Sequence, residues 1–204
     1  MKYVVNVRGI NASGKSTAVR QFCIKNNMYA ETIEYNGNEW KVMTNGKYIA
    51  IGHYKPYSNS EGCDSLRKSK EEFKDFLRWL LLRNYEIVVY EKQIWSTTYK
   101  LTAEICTISR KCGYTFIAVQ MSVDYQSALN SLFRRNGNNF GNLENFDRRF
   151  YGVQRSRRKL LQKKVALYDA IIKTIPKEQM YETIYDAIRL HNEGKNNGSI
   201  EKCQ

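Results

Sequence analysis

The chain is poor in the residues that staple, ligate or anchor a fold. Two of its 204 residues are histidine and two are proline. His53 and His191 lack metal-ligand spacing, which argues against a histidine-based metal centre. Five cysteines, Cys23, Cys63, Cys106, Cys112 and Cys203, form an odd, scattered set without CxxC or CxxH spacing. That pattern argues against both a disulfide framework and a zinc site, and most of the five are expected as small core residues. No stretch approaches the roughly 18 consecutive apolar residues of a membrane helix, and Met1-Lys2-Tyr3 does not open a basic segment with an apolar run behind it. No membrane partner and a cytoplasmic location are expected. Internal repeats and low-complexity linkers are also absent, so 24.0 kDa with 42% apolar residues reads as one domain with a single core.

Acidic residues are the scarce charge. Against 20 Asp plus Glu stand 33 Lys plus Arg, a formal +13. A polyanion or a multiply phosphorylated ligand fits that excess. The window from Arg134 to Lys164 holds ten basic residues against Glu144 and Asp147, a net of +8. Such a run is either a solvated helix face or a set of arginines that closes over phosphates.

The most informative segment is Gly9-Ile10-Asn11-Ala12-Ser13-Gly14-Lys15-Ser16. It follows an apolar run, Tyr3-Val4-Val5-Asn6-Val7, and precedes a helix expected from Thr17 to about Asn26. In that context the pattern is a phosphate-binding loop for a nucleoside triphosphate. Glycines let backbone N–H groups curl around phosphates, Lys15 reaches the β and γ phosphates, and the Ser16 hydroxyl ligates Mg²⁺. The candidate ATP-binding residues are Gly9, Asn11, Ala12, Ser13, Gly14, Lys15, Ser16 and Thr17.

Further along, Glu31 to His53 reads as short strands broken at Asn36-Gly37 and Asn45-Gly46, a small antiparallel insertion at about 30–54. Tyr54 to Asp64 is rich in turn formers. Phe73, Phe76, Leu77, Leu80 and Leu81 mark a helix within Ser65 to Asn84. Glu86 to Tyr90 reads as a buried strand ending in Glu91, followed by a helix over about Thr97 to Cys112. Thr115 to Val119 is another strand, with a helix from Asp124 to Arg135 behind it. Asn136 to Asn142 is a polar break. A long helix is expected over about Glu144 to Thr174, patterned by Leu161, Val165, Tyr168 and Ile172 and stopped by Pro176. A last helix near Glu178 to His191 leaves 193–204 as a frayed tail. The alternation of strand and helix predicts an α/β fold. It is a three-layer α/β/α arrangement of the P-loop NTPase type, with a parallel central sheet, in one domain over 1–192 with a helical lid at about 134–158.

The loop alone does not decide the class. The chain has no Asn/Thr-Lys-x-Asp guanine-reading motif, and its second apolar strand ends in a lone acid rather than an Asp-Glu pair. Both absences favour a kinase. Phosphoryl transfer needs positioning and charge neutralisation, which Lys15, Mg²⁺ on Ser16 and mobile arginines can supply. Asp64 is the candidate base beside the acceptor hydroxyl, or else the cap of a helix starting at Ser65 or Leu66. Glu91 either holds Mg²⁺ through water or pairs with Lys92 or Lys100. Tyr54, Tyr57, Trp95 and Tyr99 are candidates for stacking on a base.

Several segments resemble the phage P-loop base kinases, the group that includes the 5-hydroxymethyluracil DNA kinases. They are Val7 to Thr17; Gly52-His53-Tyr54 with Gly62-Cys63-Asp64; Val88 to Glu91; and Leu132-Phe133-Arg134-Arg135 with its Asn-rich sequel and Arg155. Together they span about residues 4–160. The chain departs from the family pattern at Glu61 and Lys92, where glycines are usual. The resemblance implies ATP-dependent phosphorylation of a hydroxymethyl group on a modified pyrimidine in DNA, a step in phage DNA hypermodification. It also implies a place in the host cytoplasm, if the chain is phage-encoded. By that resemblance Cys63 and Asp64 move into the substrate pocket with Asp64 as the catalytic carboxylate, and Arg134, Arg135 and Arg155 form a lid over the triphosphate held by Lys15; Tyr54 and Trp95 remain substrate candidates through stacking on the base. Two other functions share these features, a deoxynucleoside monophosphate kinase and a non-catalytic nucleotide-binding regulator or counter-defence protein.

Overall fold

A computed structural model describes residues 1–10, 13–54, 62–63, 66, 68–91, 99–135, 143–162, 171–176 and 183–196. Among the described residues seven strands form one sheet, β1 (Tyr3–Arg8), β2 (Tyr29–Tyr35), β3 (Asn38–Thr44), β4 (Tyr48–Ile51), β5 (Ile87–Glu91), β6 (Thr115–Ser122) and β7 (Ile171–Pro176). The helices are α1 (Lys15–Lys25), α2 (Lys70–Leu81), α3 (Tyr99–Lys111), α4 (Tyr125–Arg135), α5 (Leu143–Gln162) and α6 (Thr183–Asn196). Strand order is β2-β3-β4-β5-β1-β6-β7. The run from β4 to β7 is parallel, while β3 and β2 extend it antiparallel. The sheet is therefore mixed, and the expected insertion is continuous with it.

Two apolar layers sandwich the sheet. Val4, Ile49, Ile51, Val88 and Tyr90 face α2 and α3. Tyr3, Val5, Val7, Ala50 and Val89 face α1 and α6. This alternation follows from the period of two along each strand, and burial on both faces explains the near-continuous apolar runs read in the sequence. Trp40 stacks on Phe76 with ring centroids 4.0 Å apart, tying the antiparallel flank to α2. Full burial of a side chain of this kind contributes roughly 1.5–3 kcal/mol.

Two expectations need correction. The long helix does not reach Thr174. Its described part ends at Gln162, and Ile171–Pro176 is instead a strand parallel to β6, in register from Ile117↔Ile171 to Ser122↔Pro176. Ile171-Ile172-Lys173-Thr174-Ile175 is dominated by β-branched side chains, which favour a pleated strand over a helix. Pro176 has no N–H to donate, and an edge strand tolerates that. The second correction concerns α2, which begins at Lys70 with Ser69 as its N-cap. The Ser69 hydroxyl accepts from the Glu72 N–H at 3.1 Å, and the Glu72 carboxylate accepts from the Ser69 N–H at 2.7 Å. That capping box, worth about 1 kcal/mol, shows that Asp64 does not cap α2. The last helix runs on to Asn196, taking up the first residues of the expected tail.

From β1 the chain passes through α1 to β2 at one edge and returns through β3 and β4 to β5 beside β1; it then crosses to β6 and β7 on the other side. Strand order thus reverses beside β1, which opens a crevice at the carboxyl ends of the parallel strands. Gly9, Ile10 and the residues from Ser13 to Ser16 lie at that edge.

Candidate functional site

The loop leaves β1 at Arg8 and turns into α1 without a side-chain cap. Gly14 occupies the N-cap in the left-handed region (φ 88°, ψ 8°), and the first turn contains no acidic residue. The opening N–H groups of α1 and the positive end of its dipole therefore face the crevice. The Ser13 N–H closes the loop onto the Ile10 carbonyl at 3.2 Å. A methyl at Gly9 would sit 2.3 Å from the Ser13 hydroxyl, so only glycine permits this turn. Lys15 is 5% exposed and folds back to donate its ammonium to the Ile10 carbonyl at 2.9 Å. Thr17 continues the first turn of α1. Asn11 and Ala12 lie outside the described residues.

Within the first turn of α1, the Ser16 hydroxyl donates to Glu91 Oε1 at 2.8 Å. Glu91 ends β5 and is 1% exposed. Against this pair lies Gly62. A Cβ built there would come 2.7 Å from Glu91 Oε1, 3.4 Å from the Ser16 hydroxyl and 3.4 Å from the Tyr54 ring. Gly62 is held by its N–H, which donates to the His53 carbonyl at 2.8 Å. Gly52 lies equally close to the backbone, since a Cβ there would meet the Cys63 nitrogen at 2.7 Å. The two glycine motifs noted in the sequence, Gly52-His53-Tyr54 and Gly62-Cys63, are thus two strands of one tight crossing beside the Ser16–Glu91 pair.

Tyr54 and Cys63 are core residues here, 1% and 0% exposed, and the Tyr54 hydroxyl donates to the Ile51 carbonyl. They form the floor of the crossing rather than an open platform. Asp64, next in sequence to Cys63, lies outside the described residues, as does Trp95. Arg134 and Arg155 are both exposed, and the Arg135 side chain is outside the described residues. Lys15, Ser16 and Glu91 are brought together; Arg134 and Arg155 are not placed against them.

The sequence reading passed over a polar layer under the crevice. Arg8 is 1% exposed, and its guanidinium donates to the Thr102 hydroxyl of α3 at 3.0 Å. Burial lowers its pKa to about 10, only partly offset by nearby Tyr90. The Asn6 amide donates to the Tyr90 hydroxyl, whose pKa burial raises. Gln120, across from Arg8 on β6, is 4% exposed. The available signal was Asn6 and Arg8 themselves, polar residues at alternate positions of an apolar strand. Ile10 was also missed. It is 3% exposed and packs with Ala128 of α4 and Phe146 of α5, fastening the loop to the helices behind it.

Among the described residues no group of three or more His, Cys, Asp or Glu side chains forms a metal cluster. Ser16 and Glu91 by themselves suit Mg²⁺, which keeps several waters and takes further oxygens from phosphates. No described helix is long and apolar enough to cross a membrane. Comparison of the chain with protein-family models and with curated proteins returns no match.

Proposed function

We propose that this chain is an ATP-dependent P-loop kinase that transfers a γ-phosphate to a hydroxyl on a modified pyrimidine of the hydroxymethyluracil type in DNA. The observation that carries the proposal is the Ser16–Glu91 hydrogen bond at the uncapped start of α1, with the Gly62 backbone packed against both partners. A hydroxyl and a carboxylate at that spot are the oxygen ligands that a magnesium–nucleotide complex needs from the protein. The buried Ser13 hydroxyl, which has no hydrogen-bond partner among the described residues, also suits an incoming phosphate oxygen.

The chain's own groups divide the work. Backbone N–H groups of the loop and of the first turn of α1 hold the β and γ phosphates. Lys15 exchanges the Ile10 carbonyl for phosphate oxygens and neutralises charge that builds up during transfer. Ser16 and Glu91 would hold Mg²⁺, which would supply neutralisation of phosphate charge when bound. Asp64 follows directly on the Gly62-Cys63 crossing, so a carboxylate at that position orients the acceptor hydroxyl and accepts its proton. Arg134 and Arg135 close from the end of α4. The basic excess suits a polymeric acceptor, whose phosphates make affinity salt-dependent.

The test is γ-labelled ATP offered with hydroxymethyluracil DNA, with unmodified DNA and with free deoxynucleoside monophosphates. Label on the modified DNA alone is expected. Label on free monophosphates, or ATP binding with no labelled acceptor, would replace this reading with one of its two rivals.

A further inference from the structure

The described part of α5 has two opposed faces. At 100° per residue, Phe146, Phe150 and Val153 fall on one side of the helix, and they pack inward, with Phe146 against Ile10. Arg148, Tyr151, Arg155, Arg158 and Lys159 fall on the other side, and all five are exposed. The stripe from Arg148 to Arg158 is about 15 Å long at 1.5 Å per residue. It begins near the turn of α5 that packs behind the phosphate loop.

Three observations separate this face from an ordinary solvated one. First, the described acidic side chain of α5 is engaged elsewhere. Asp147 accepts a hydrogen bond from Tyr125 on α4, and no described carboxylate pairs with the four cations of the stripe. Second, Tyr151 lies among the arginines with 54% of its surface exposed, its ring held edge-to-face against Phe150 at 5.6 Å. A solvated face gains nothing from an exposed tyrosine held this way. Third, Gly152 lies beside it within the continuous helix, and a Cβ there would meet nothing within 4 Å. Glycine inside a helix costs about 1 kcal/mol relative to alanine, and no packing inside the fold requires it here. The open space fits close approach by something from outside.

We propose that the outer face of α5 is a binding track for single-stranded nucleic acid, with Tyr151 stacking on an unpaired base, Gly152 giving its sugar room, and Arg148, Arg155 and Arg158 contacting phosphates. The track rests on the reading that the acceptor is part of a polynucleotide, and it names where that strand lies. Arg155 accordingly belongs to the track and not to a lid over the triphosphate. An unpaired strand is specified because a base stacked in a duplex offers no face to Tyr151.

The test uses the full chain and a fluorescent oligothymidylate, with dissociation constants measured across salt concentrations. Three phosphate contacts predict a log–log salt slope of about −2 for a single strand. Arg155→Gln should make the slope shallower by about 0.7, and Arg155→Lys should keep it. Tyr151→Ala should weaken binding on the order of 10-fold with the slope unchanged. Gly152→Leu should weaken binding although the helix remains, as circular dichroism would verify. Unchanged affinity in both Tyr151→Ala and Gly152→Leu would overturn the track, as would tighter binding to duplex or binding only to anionic lipid vesicles. ATP affinity is measured alongside. ATP binding by a chain whose track variants are silent sinks the track alone. Failure to bind ATP by a chain with the expected oligothymidylate profile sinks the phosphate-loop reading and leaves the track standing.

Discussion

Replacing Gly62 by alanine tests the site without altering any charge. The residue sits at φ +118°, a conformation that costs an L side chain about 1–3 kcal/mol. The new methyl also lands 2.7 Å from Glu91 Oε1, so the carboxylate must move. Its hydrogen bond from Ser16 is then lost, and a bond to a charged group is worth about 1.5–3 kcal/mol. Two other glycines calibrate the result. Gly37, at φ +68° with nothing within 4 Å of its Cβ, bears the backbone strain alone. Gly52, at φ +116°, adds a 2.7 Å clash with backbone rather than with a side-chain tip. Urea denaturation should therefore rank the losses Gly52→Ala greatest, Gly62→Ala next and Gly37→Ala least.

Function separates them differently. Gly62→Ala should raise the Mg²⁺ concentration needed for ATP binding by roughly 10-fold or more, since about 1.4 kcal/mol corresponds to one decade. Gly37→Ala should leave it unchanged. Calorimetric titration of ATP at several Mg²⁺ concentrations measures this. A Gly62→Ala protein with the parental Mg²⁺ requirement would refute the assignment of Ser16 and Glu91 as ligands. A Gly52→Ala protein no less stable than Gly37→Ala would refute the tight crossing.

The remaining predictions concern other parts of the molecule. Lys15→Ala should abolish transfer, whereas Asp64→Asn should slow it on the order of 10²-fold with ATP affinity nearly unchanged, as radiolabel transfer and titration would reveal. Equal loss of ATP affinity in both would contradict the two roles. Ile10→Ala should cost about 2–5 kcal/mol in stability and weaken ATP binding, because Ile10 fastens the loop to Phe146 and Ala128; unchanged ATP affinity would deny that link. Stability should fall as pH rises above 9. Burial holds the Cys23 thiol at about 12 against an ordinary 9.0, and the Tyr114 hydroxyl at about 12 against 10.0. In that window the unfolded chain binds fewer protons than the folded one, so alkali favours unfolding, and the stabilisation is fully present only below pH 9. Urea midpoints from pH 8 to 11 should decline, and Cys23→Ala should delay the onset towards pH 10. A flat profile would exclude both groups.

Local signals in the sequence were strong where one residue type admits one conformation. Asn36-Gly37 turns with both residues at positive φ, 50° and 68°, as a two-residue hairpin requires. Asn45-Gly46 looks the same in sequence and behaves differently. Only Gly46 has positive φ, while Asn45 uses its side-chain oxygen to accept from the N–H groups of Lys47 and Tyr48. The hairpin was legible and its geometry was not, because an asparagine can turn a chain through its side chain as well as its backbone. Misreading β7 as helix has a related cause. Leu161, Val165, Tyr168 and Ile172 keep a helical spacing, but spacing cannot register that β6 has an open edge waiting for a parallel partner.

The site was legible in kind, although its assembly depends on register. A lone acid after an apolar strand marks Glu91 as notable without saying what it meets. Pairing of β1 with β5 sets Val7 opposite Glu91, so the carboxylate arrives one residue before β1 ends. Helix α1 starts seven residues beyond Arg8 and brings Ser16 back over the same sheet edge, closing the 2.8 Å contact. A slip of one residue in β5 would turn Glu91 to the opposite face of the sheet, toward α2 and α3. The chemistry proposed for the loop thus depends on the same parallel register that buries Val88 and Val89 on opposite faces, and substitutions that loosen β5 should disturb magnesium before they unfold the domain.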